Sequence, residues 1–416
     1  MSTSTRSAER RLLFLLPFPP RLDATHGGAR VAAQLLAALA TGHSIAVAYL
    51  RGDEEQPIDA ELRAACDIVE EIARPWSGRS VAHKALRAAR MVTALLIGRR
   101  PLWVTDCASR AYARRIRALA TTWQPDVLHI EVHVMGQYVR ALDDCPAPRV
   151  LAEYEPGVRA APFIARGYPW LARALHVLDR RAWRDFEREV LRQVHAVVVF
   201  TDQDRSAVAE LAPATPVWRI PFGTPLPSSP LDPVGQQPPT LLFVGSFIHP
   251  PNVDAAVRLA RTILPLVRRR HPDARLCIVG DSPPDAVRRL AGAEVQVTGR
   301  VPQVEPYLDI ASVVVVPLRL GGGMRVKVLE ALAAGKAVVA SRLAVQGLDV
   351  IPGDQLCIAD DDVEFADRVG ELLDAPEHRL ALARRARAWA CANLGWDRSV
   401  AVYDRLYSAL WAKPAA

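Results

Sequence analysis

The sequence predicts an α/β protein of two doubly wound domains facing a central cleft. Short, apolar, β-branched runs alternate with longer amphipathic segments in each half of the chain, as buried parallel strands joined by right-handed helical crossovers do. A stretch dense in proline and polar residues, "IPFGTPLPSSPLDPVGQQPPT" at 220–240, interrupts the alternation where neither a helix nor a central strand can form. The length agrees, because 416 residues are too many for one ordinary core and suit two large ones.

In the first half, "LLFLL" (12–16), "IAVAYL" (45–50), "DVLHI" (126–130), "RVLAE" (149–153) and "HAVVVF" (195–200) read as buried strands. "ARVAAQLLAALA" (29–40) reads as a helix stopped by Gly42 just past its end. In the second half the strands are "TLLFVGS" (240–246), "RLCIVG" (275–280), "EVQVTG" (294–299), "SVVVVPL" (312–318) and "KAVVAS" (336–341). The run "VDAAVRLARTILPLVRRR" (253–270) is helical, and a last amphipathic helix starts at Trp396. The expected boundaries are a first domain over 1–222, a linker over 223–239, a second domain over 240–395 and a terminal helical segment over 396–416. Ligands of such folds bind beyond the carboxyl ends of the strands.

Composition narrows the function. Half the residues are hydrophobic and mean hydropathy is +0.07, a globular, soluble composition. The six cysteines are scattered and form no CxxC pair, so neither a zinc site nor a disulfide framework is indicated, and a reducing cytoplasmic compartment is expected. The apolar start "LLFLLPFPP" is too short and too rich in proline for a signal peptide, and no run approaches the roughly 20 residues that span a bilayer. Net charge is +7. Basic residues gather over Lys84 to Arg117, where a helix packed with its apolar side inward competes with one lying on an anionic membrane face. No aromatic-interleaved basic motif points to nucleic acid.

One stretch concentrates the chemistry. "RLGGGMRVKVLEALAAGKAVVAS" (319–341) follows a strand, opens with three glycines and runs into a helix expected to start near Met324. Glycines admit close approach of a ligand to the backbone, and a helix N-terminus offers free N–H groups and a positive dipole end, so an anion such as phosphate is the natural guest. The stretch holds Lys327 and Lys336, two of four lysines in a chain with 48 arginines, and Arg325 and Lys327 would add fixed charge at the loop. Glu330, three residues on, fits either an ion pair with Lys327 or a grip on vicinal ribose hydroxyls.

The segments "LLFVGSFIHPPNVDAAVRLARTILPLV", "LCIVGDSPP", "VQVTGRVPQVEPYLDIASVVVVPLRLGGGMRVKVLEALAAGKAVVASRLAVQGL" and "FADRVGELLDAPEHRLALARRARAWACANLGWDRSV" occur in that order. The series resembles the donor-binding half of glycosyltransferases of the GT-B fold, in particular the retaining group called family 4. "LPFPPRLDATHGGARVAAQLLAAL" and "PDVLHIEVHVMGQYVRAL" look like that family's acceptor domain. The resemblance implies two Rossmann-like domains and transfer of a sugar, with retention, from a nucleotide-sugar donor to a glycan, lipid-linked or small-molecule acceptor. It implies no cofactor and no obligatory metal. Glu330 would hold the ribose. Gly322 and Gly323, aided by Arg325 and Lys327, would hold the diphosphate. Gly27 and Gly28 would approach that diphosphate from the first domain, and Gly245 would sit close to it. Gly299, Arg300 and Val301 would meet the base. The terminal helix would cross back to the first domain. A nucleotide-sugar epimerase of the same fold, or a non-catalytic nucleotide-sugar-binding partner of a transferase, are the rival readings.

Two departures from the family pattern stand out. A carboxylate that relatives place against the donor sugar is replaced by Gly322. The loop after the first strand of the second domain, "GSFIHPPNVD", lacks the family's Arg and Lys and carries His249 and Asn252, so Arg325 and Lys327 are expected to restore the lost charge. On the acceptor side, His129, Glu131 and His133 would project together if their strand continues. Glu131 and His133 are the catalytic candidates, His129 reads as a core histidine, and Glu153 and Glu155 are further candidates. "ADDDVEF" (359–365) reads as a helix start rather than a metal site.

Overall fold

A computed structural model describes residues 9–24, 27–78, 80–154, 170–321 and 326–411. The chain forms two compact units, Met1–Phe222 with Ser399–Ala416, and Gly223–Arg398. The Pro-rich stretch is irregular as expected, but residues 223–239 belong to the second unit rather than standing between two domains. The physical reason is that its backbone is bonded there: the Leu231 N–H donates to the Ala334 carbonyl, Gln236 N–H to Ile310, and Lys336 Nζ to Asp232.

In the first unit the described strands are β1 (Arg11–Leu16), β2 (Ser44–Arg51), β3 (Ile68–Ala73), β4 (Val127–Glu131), β5 (Arg149–Glu153), β6 (Ala196–Val199) and β7 (Val217–Arg219). They make one parallel sheet in the order β3-β2-β1-β4-β5-β6-β7. Leu12 to Leu16 of β1 are wholly buried, which explains their unbroken apolar run: helices cover both faces of such a sheet. The edge strands β3 and β7 were not foreseen. In β3, "IVEEIA" carries Glu70 and Glu71 into bonds with Arg115 and with Tyr49 and Arg51, and charge on an edge strand masks its apolar pattern.

The terminal helix Trp396–Trp411 contributes residues from Ser399 onward to the first unit. It buries Tyr403, Leu406 and Tyr407. Tyr407 Oη lies 2.7 Å from His129 Nδ1, Asp404 Oδ1 lies 2.8 Å from His43 Nε2, and Ser399 Oγ donates to the Pro221 carbonyl. His129 is also stacked on Phe14, with ring centroids 4.4 Å apart, so it is the core histidine that its strand position suggests.

The second unit repeats the pattern with β8 (Thr240–Val244), β9 (Arg275–Val279), β10 (Val295–Gly299), β11 (Val313–Val316), β12 (Val338–Ala340) and β13 (Cys357–Ile358), ordered β10-β9-β8-β11-β12-β13. Strand order reverses between β8 and β11, and the loops leaving these two strands carry 245–249 and 317–321 to one place, where a Cβ on Gly321 would fall 3.0 Å from the Pro251 ring. The helix expected over 253–270 is broken into Pro250–Arg258, a π-turn Leu259–Ile263 and Leu264–Arg268. Pro265 has no N–H and its ring would crowd the carbonyl one turn back, which the wider turn relieves. Asp361 of the acidic run caps helix Asp362–Asp374 by accepting from the N–H groups of Val363 and Glu364, and Asp362 pairs with Arg258 at 2.6 Å.

Candidate functional site

The switch point of the second unit gathers Gly245, His249, Asn252 and Lys327. β8 ends at Val244, and His249 is the N-cap residue of helix Pro250–Arg258. Asn252, in the first turn of that helix, donates from Nδ2 to the Ser246 carbonyl at 2.7 Å. Its Oδ1 accepts from Lys327 Nζ at 2.5 Å. Lys327 lies in the first turn of helix Val326–Ala333, and its ammonium sits 4.8 Å from the centroid of the Phe243 ring. Burial, and secondarily the Lys327 charge, push the His249 imidazole below its ordinary value, which keeps it neutral near pH 7. Lys327 therefore stands against the loop that follows β8.

Glycine is required here by close packing. A Cβ on Gly280, just after β9, would fall 1.8 Å from the Gly245 carbonyl oxygen, and one on Gly245 would fall 2.9 Å from the Asn252 side chain. Gly280→Ala is expected to cost at least about 2 kcal/mol and to lower donor affinity, because the backbone that carries Gly245 has to move. Gly292→Ala, with open space around the added methyl, is the control. Thermal melts and donor titrations of both variants check this.

The remaining donor-side candidates fall as follows. Glu330 is half-buried on the same helix as Lys327. Gly299 closes β10 at φ +72, and its carbonyl accepts from the Gly280 N–H at 3.1 Å; Arg300 is exposed and Val301 half-buried. Gly322, Gly323 and Arg325 lie outside the described residues. Arg319, ahead of the glycines, is held by Asp254 at 2.7 Å. Lys336 does not join Lys327: wholly buried, it donates to the carbonyls of Asp232 and, at 3.2 Å, Asp309.

In the first unit, Gly27 and Gly28 open helix Gly27–Leu39 and are half-buried. The alignment of His129, Glu131 and His133 along one strand does not occur. β4 ends at Glu131, and Val132 adopts φ +70, an unusual conformation for a β-branched residue, before a 3-10 helix His133–Leu142 begins. The trio splits. Glu131 is wholly buried with its Oε1 3.0 Å from His129 Nε2, and it acts with burial, the larger cause, to hold the Tyr154 hydroxyl protonated. His133 turns to Glu153, with Nδ1 2.5 Å from Oε1. Burial raises the Glu153 carboxyl while His133 opposes the rise. Trp103 and Trp183 meet His133 edge-on, at 5.4 and 4.6 Å between ring centroids.

Glu187, on helix Trp170–Leu191, completes this buried group, and sequence spacing offered no sign of it. His133, Glu153 and Glu187 present ligand atoms within 4.8 Å of one another, a donor set of the kind that holds a divalent transition metal or shares a proton. Glu155 lies outside the described residues.

Fold comparison matches nearly the whole chain to solved structures. It is similar to the solved structure of sucrose-phosphate synthase from Thermosynechococcus elongatus, with 18% identity and a TM-score of 0.72, covering 97% of this chain and 100% of that one. HepE from Anabaena, in complex with UDP and glucose, matches with 11% identity and a TM-score of 0.64, covering 97% and 100%. WaaG, a glycosyltransferase involved in lipopolysaccharide biosynthesis, matches with 15% identity and a TM-score of 0.63, covering 95% and 99%. The class that this architecture defines is the GT-B fold of glycosyltransferases.

Within the second unit, residues 238–375 match the family model described as glycosyl transferases group 1. An uncharacterized 44.6 kDa protein in the cps region of Klebsiella pneumoniae is 25% identical over 138 residues, 31% of this chain and 36% of its own. A GDP-mannose-dependent alpha-(1-6)-phosphatidylinositol monomannoside mannosyltransferase of Mycolicibacterium smegmatis is 33% identical over 149 residues, 32% of this chain and 39% of its own. These matches span less than two fifths of either relative.

Proposed function

We propose that the protein is a glycosyltransferase that moves a sugar from a nucleotide-diphospho-sugar to a glycan, lipid-linked or small-molecule acceptor, with retention of anomeric configuration. The observation that carries this reading is the position of Lys327 at a helix start, against Asn252 and His249 of the loop after β8. As the glycosidic bond breaks, negative charge grows on the diphosphate. The Lys327 ammonium and the N-terminal dipole of helix Val326–Ala333 oppose that charge, and stabilisation that strengthens toward the transition state lowers the barrier. The group 1 domain and the UDP held by HepE support a nucleotide-sugar as donor. Glu330 is assigned to the ribose. Retention follows from front-face attack, in which the departing phosphate oxygen takes the acceptor proton and no strong enzymic base is needed.

On the first unit, His133 rather than Glu131 is assigned to the acceptor, because Glu131 is sealed in the core against His129. Glu153 acts as a positioning residue that orients the imidazole. His133→Ala is expected to leave donor affinity unchanged and to lower transfer about 100-fold, the scale of loss that follows when a contact that positions the acceptor is removed. Calorimetry across UDP-, GDP- and ADP-sugars, followed by transfer and hydrolysis assays with the best binder, tests the proposal. Failure of every nucleotide-sugar to bind would overturn it.

A further inference from the structure

Helix Val81–Gly98 is built the wrong way out for a packed surface helix. It has 18 residues, yet Leu95 is the single one it buries. Arg87 fastens one edge to the unit through both carboxylate oxygens of the buried Asp106, and Arg90 donates to the Ala108 carbonyl. The opposite face stands in solvent and is apolar: Leu86, Ala89, Thr93, Leu96 and Ile97 recur at helical spacing. Leu86 is 52% exposed, Leu96 56%, Ile97 82% and Val81 84%.

The charge around that face has one sign. From Arg74 to Thr105 the sequence contains no Asp or Glu. Arg87 is neutralised by Asp106, but no carboxylate among the described residues pairs with Lys84, Arg99 or Arg100, and Arg100 bonds only the neutral amide of Gln137. No described helix is long and apolar enough to cross a membrane.

We propose that this face docks the protein on an anionic lipid surface, with Leu86, Leu96 and Ile97 entering the headgroup–acyl boundary and Arg99 and Arg100, at the helix end beside them, meeting lipid phosphates. An amphipathic helix too polar to span, with apolar residues on one face and cations beside it, partitions into this interface, and anionic headgroups supply the complementary charge. A second copy of the chain does not. Self-pairing across a two-fold axis would set these cations against their own mates with no carboxylate between them. The inference stands on the helix alone and is independent of the donor reading.

The test uses the full chain in co-sedimentation with vesicles of phosphatidylcholine alone and of phosphatidylcholine mixed with phosphatidylglycerol, at low and raised salt. The expected result is binding to the anionic vesicles that weakens with salt, and little binding to the neutral ones. Arg99→Asn with Arg100→Gln, the Asn suiting the left-handed backbone at that position, is expected to weaken partition roughly 25-fold, at about five-fold per cation. Ile97→Lys separates insertion from simple charge attraction. It is expected to weaken binding, although it adds a cation, and at so exposed a position it leaves the fold intact. The proposal fails if the wild type ignores anionic vesicles or if Ile97→Lys binds them more tightly. It fails equally if Ile97→Lys abolishes a dimer or a complex with an acidic protein while vesicle binding is absent.

Discussion

Lys327→Ala is expected to weaken nucleoside-diphosphate binding by about 2 to 3 kcal/mol, roughly 30- to 150-fold, with little change in melting temperature. A hydrogen bond to a charged group contributes about 1.5 to 3 kcal/mol, and a phosphate deprived of its ammonium partner loses that contribution directly. The chain itself loses little, since Lys327 is half-buried and its bond to Asn252 and its contact with Phe243 are replaceable by water. Lys327→Met, which keeps an unbranched chain over Phe243 and removes only the charge, should match the alanine variant in affinity. Calorimetry with UDP and GDP measures the affinity. In the same variants, loss of the Lys327 charge should raise the pKa of His249 toward its ordinary 6.5, which an imidazole NMR titration reads. Unchanged donor affinity would remove Lys327 from the site.

Lys336→Ala is expected to do the converse: destabilise the second unit by about 3 kcal/mol and leave the intrinsic donor affinity of the folded protein unchanged. The ammonium is wholly buried, and its partners are the main-chain carbonyls of Asp232 and Asp309. Truncation removes a charged donor from two part-buried carbonyls and leaves a cavity where the wholly buried side chain stood; relief from burying a charge returns part of this cost. Burial, the larger cause, lowers the Lys336 pKa from 10.5 to about 8, against the raising pull of Asp232 and Asp309. The sign follows from proton counts. Between pH 8 and 10.5 the unfolded chain holds a proton that the folded chain has released, so this group makes stability rise with pH through that window, by about 3 kcal/mol in all. Below pH 8 both states are protonated and the cost of burying the charge is constant. Denaturant unfolding of wild type and Lys336→Met across that window isolates the effect, since the methionine does not titrate.

The two lysines show where sequence reading reached and where it stopped. They share one stretch and read as a basic pair at a phosphate loop. The fold sends one to the loop after β8 and the other into the core to fasten the proline-rich segment. The buried strands were legible because unbroken runs such as Leu12–Leu16 and Val313–Val316 have only one use in an α/β sheet. The charged edge strand β3 was not, and neither was the two-residue β13. The acceptor side failed at one backbone angle. Nothing in "HIEVHV" announces that Val132 takes a positive φ, and that single turn separates Glu131 from His133. Glu187 was invisible for another reason: it reaches His133 and Glu153 from a helix with no sequence relation to either.

By itself, then, the sequence determined the periodic elements, the two-fold repetition of the α/β pattern and the stretch where phosphate chemistry concentrates. Apolar period, β-branching and glycine placement act over a few neighbouring residues and can be read in order along the chain. Only the tertiary structure decided which charged and polar groups meet. Lys327 finds Asn252 across 75 positions, Lys336 finds Asp232 across 104, and an outward-facing helix keeps Leu86, Leu96 and Ile97 in solvent. Desolvation and Coulomb forces are decided over a few ångströms of space, and separation along the chain carries almost no information about separation in space.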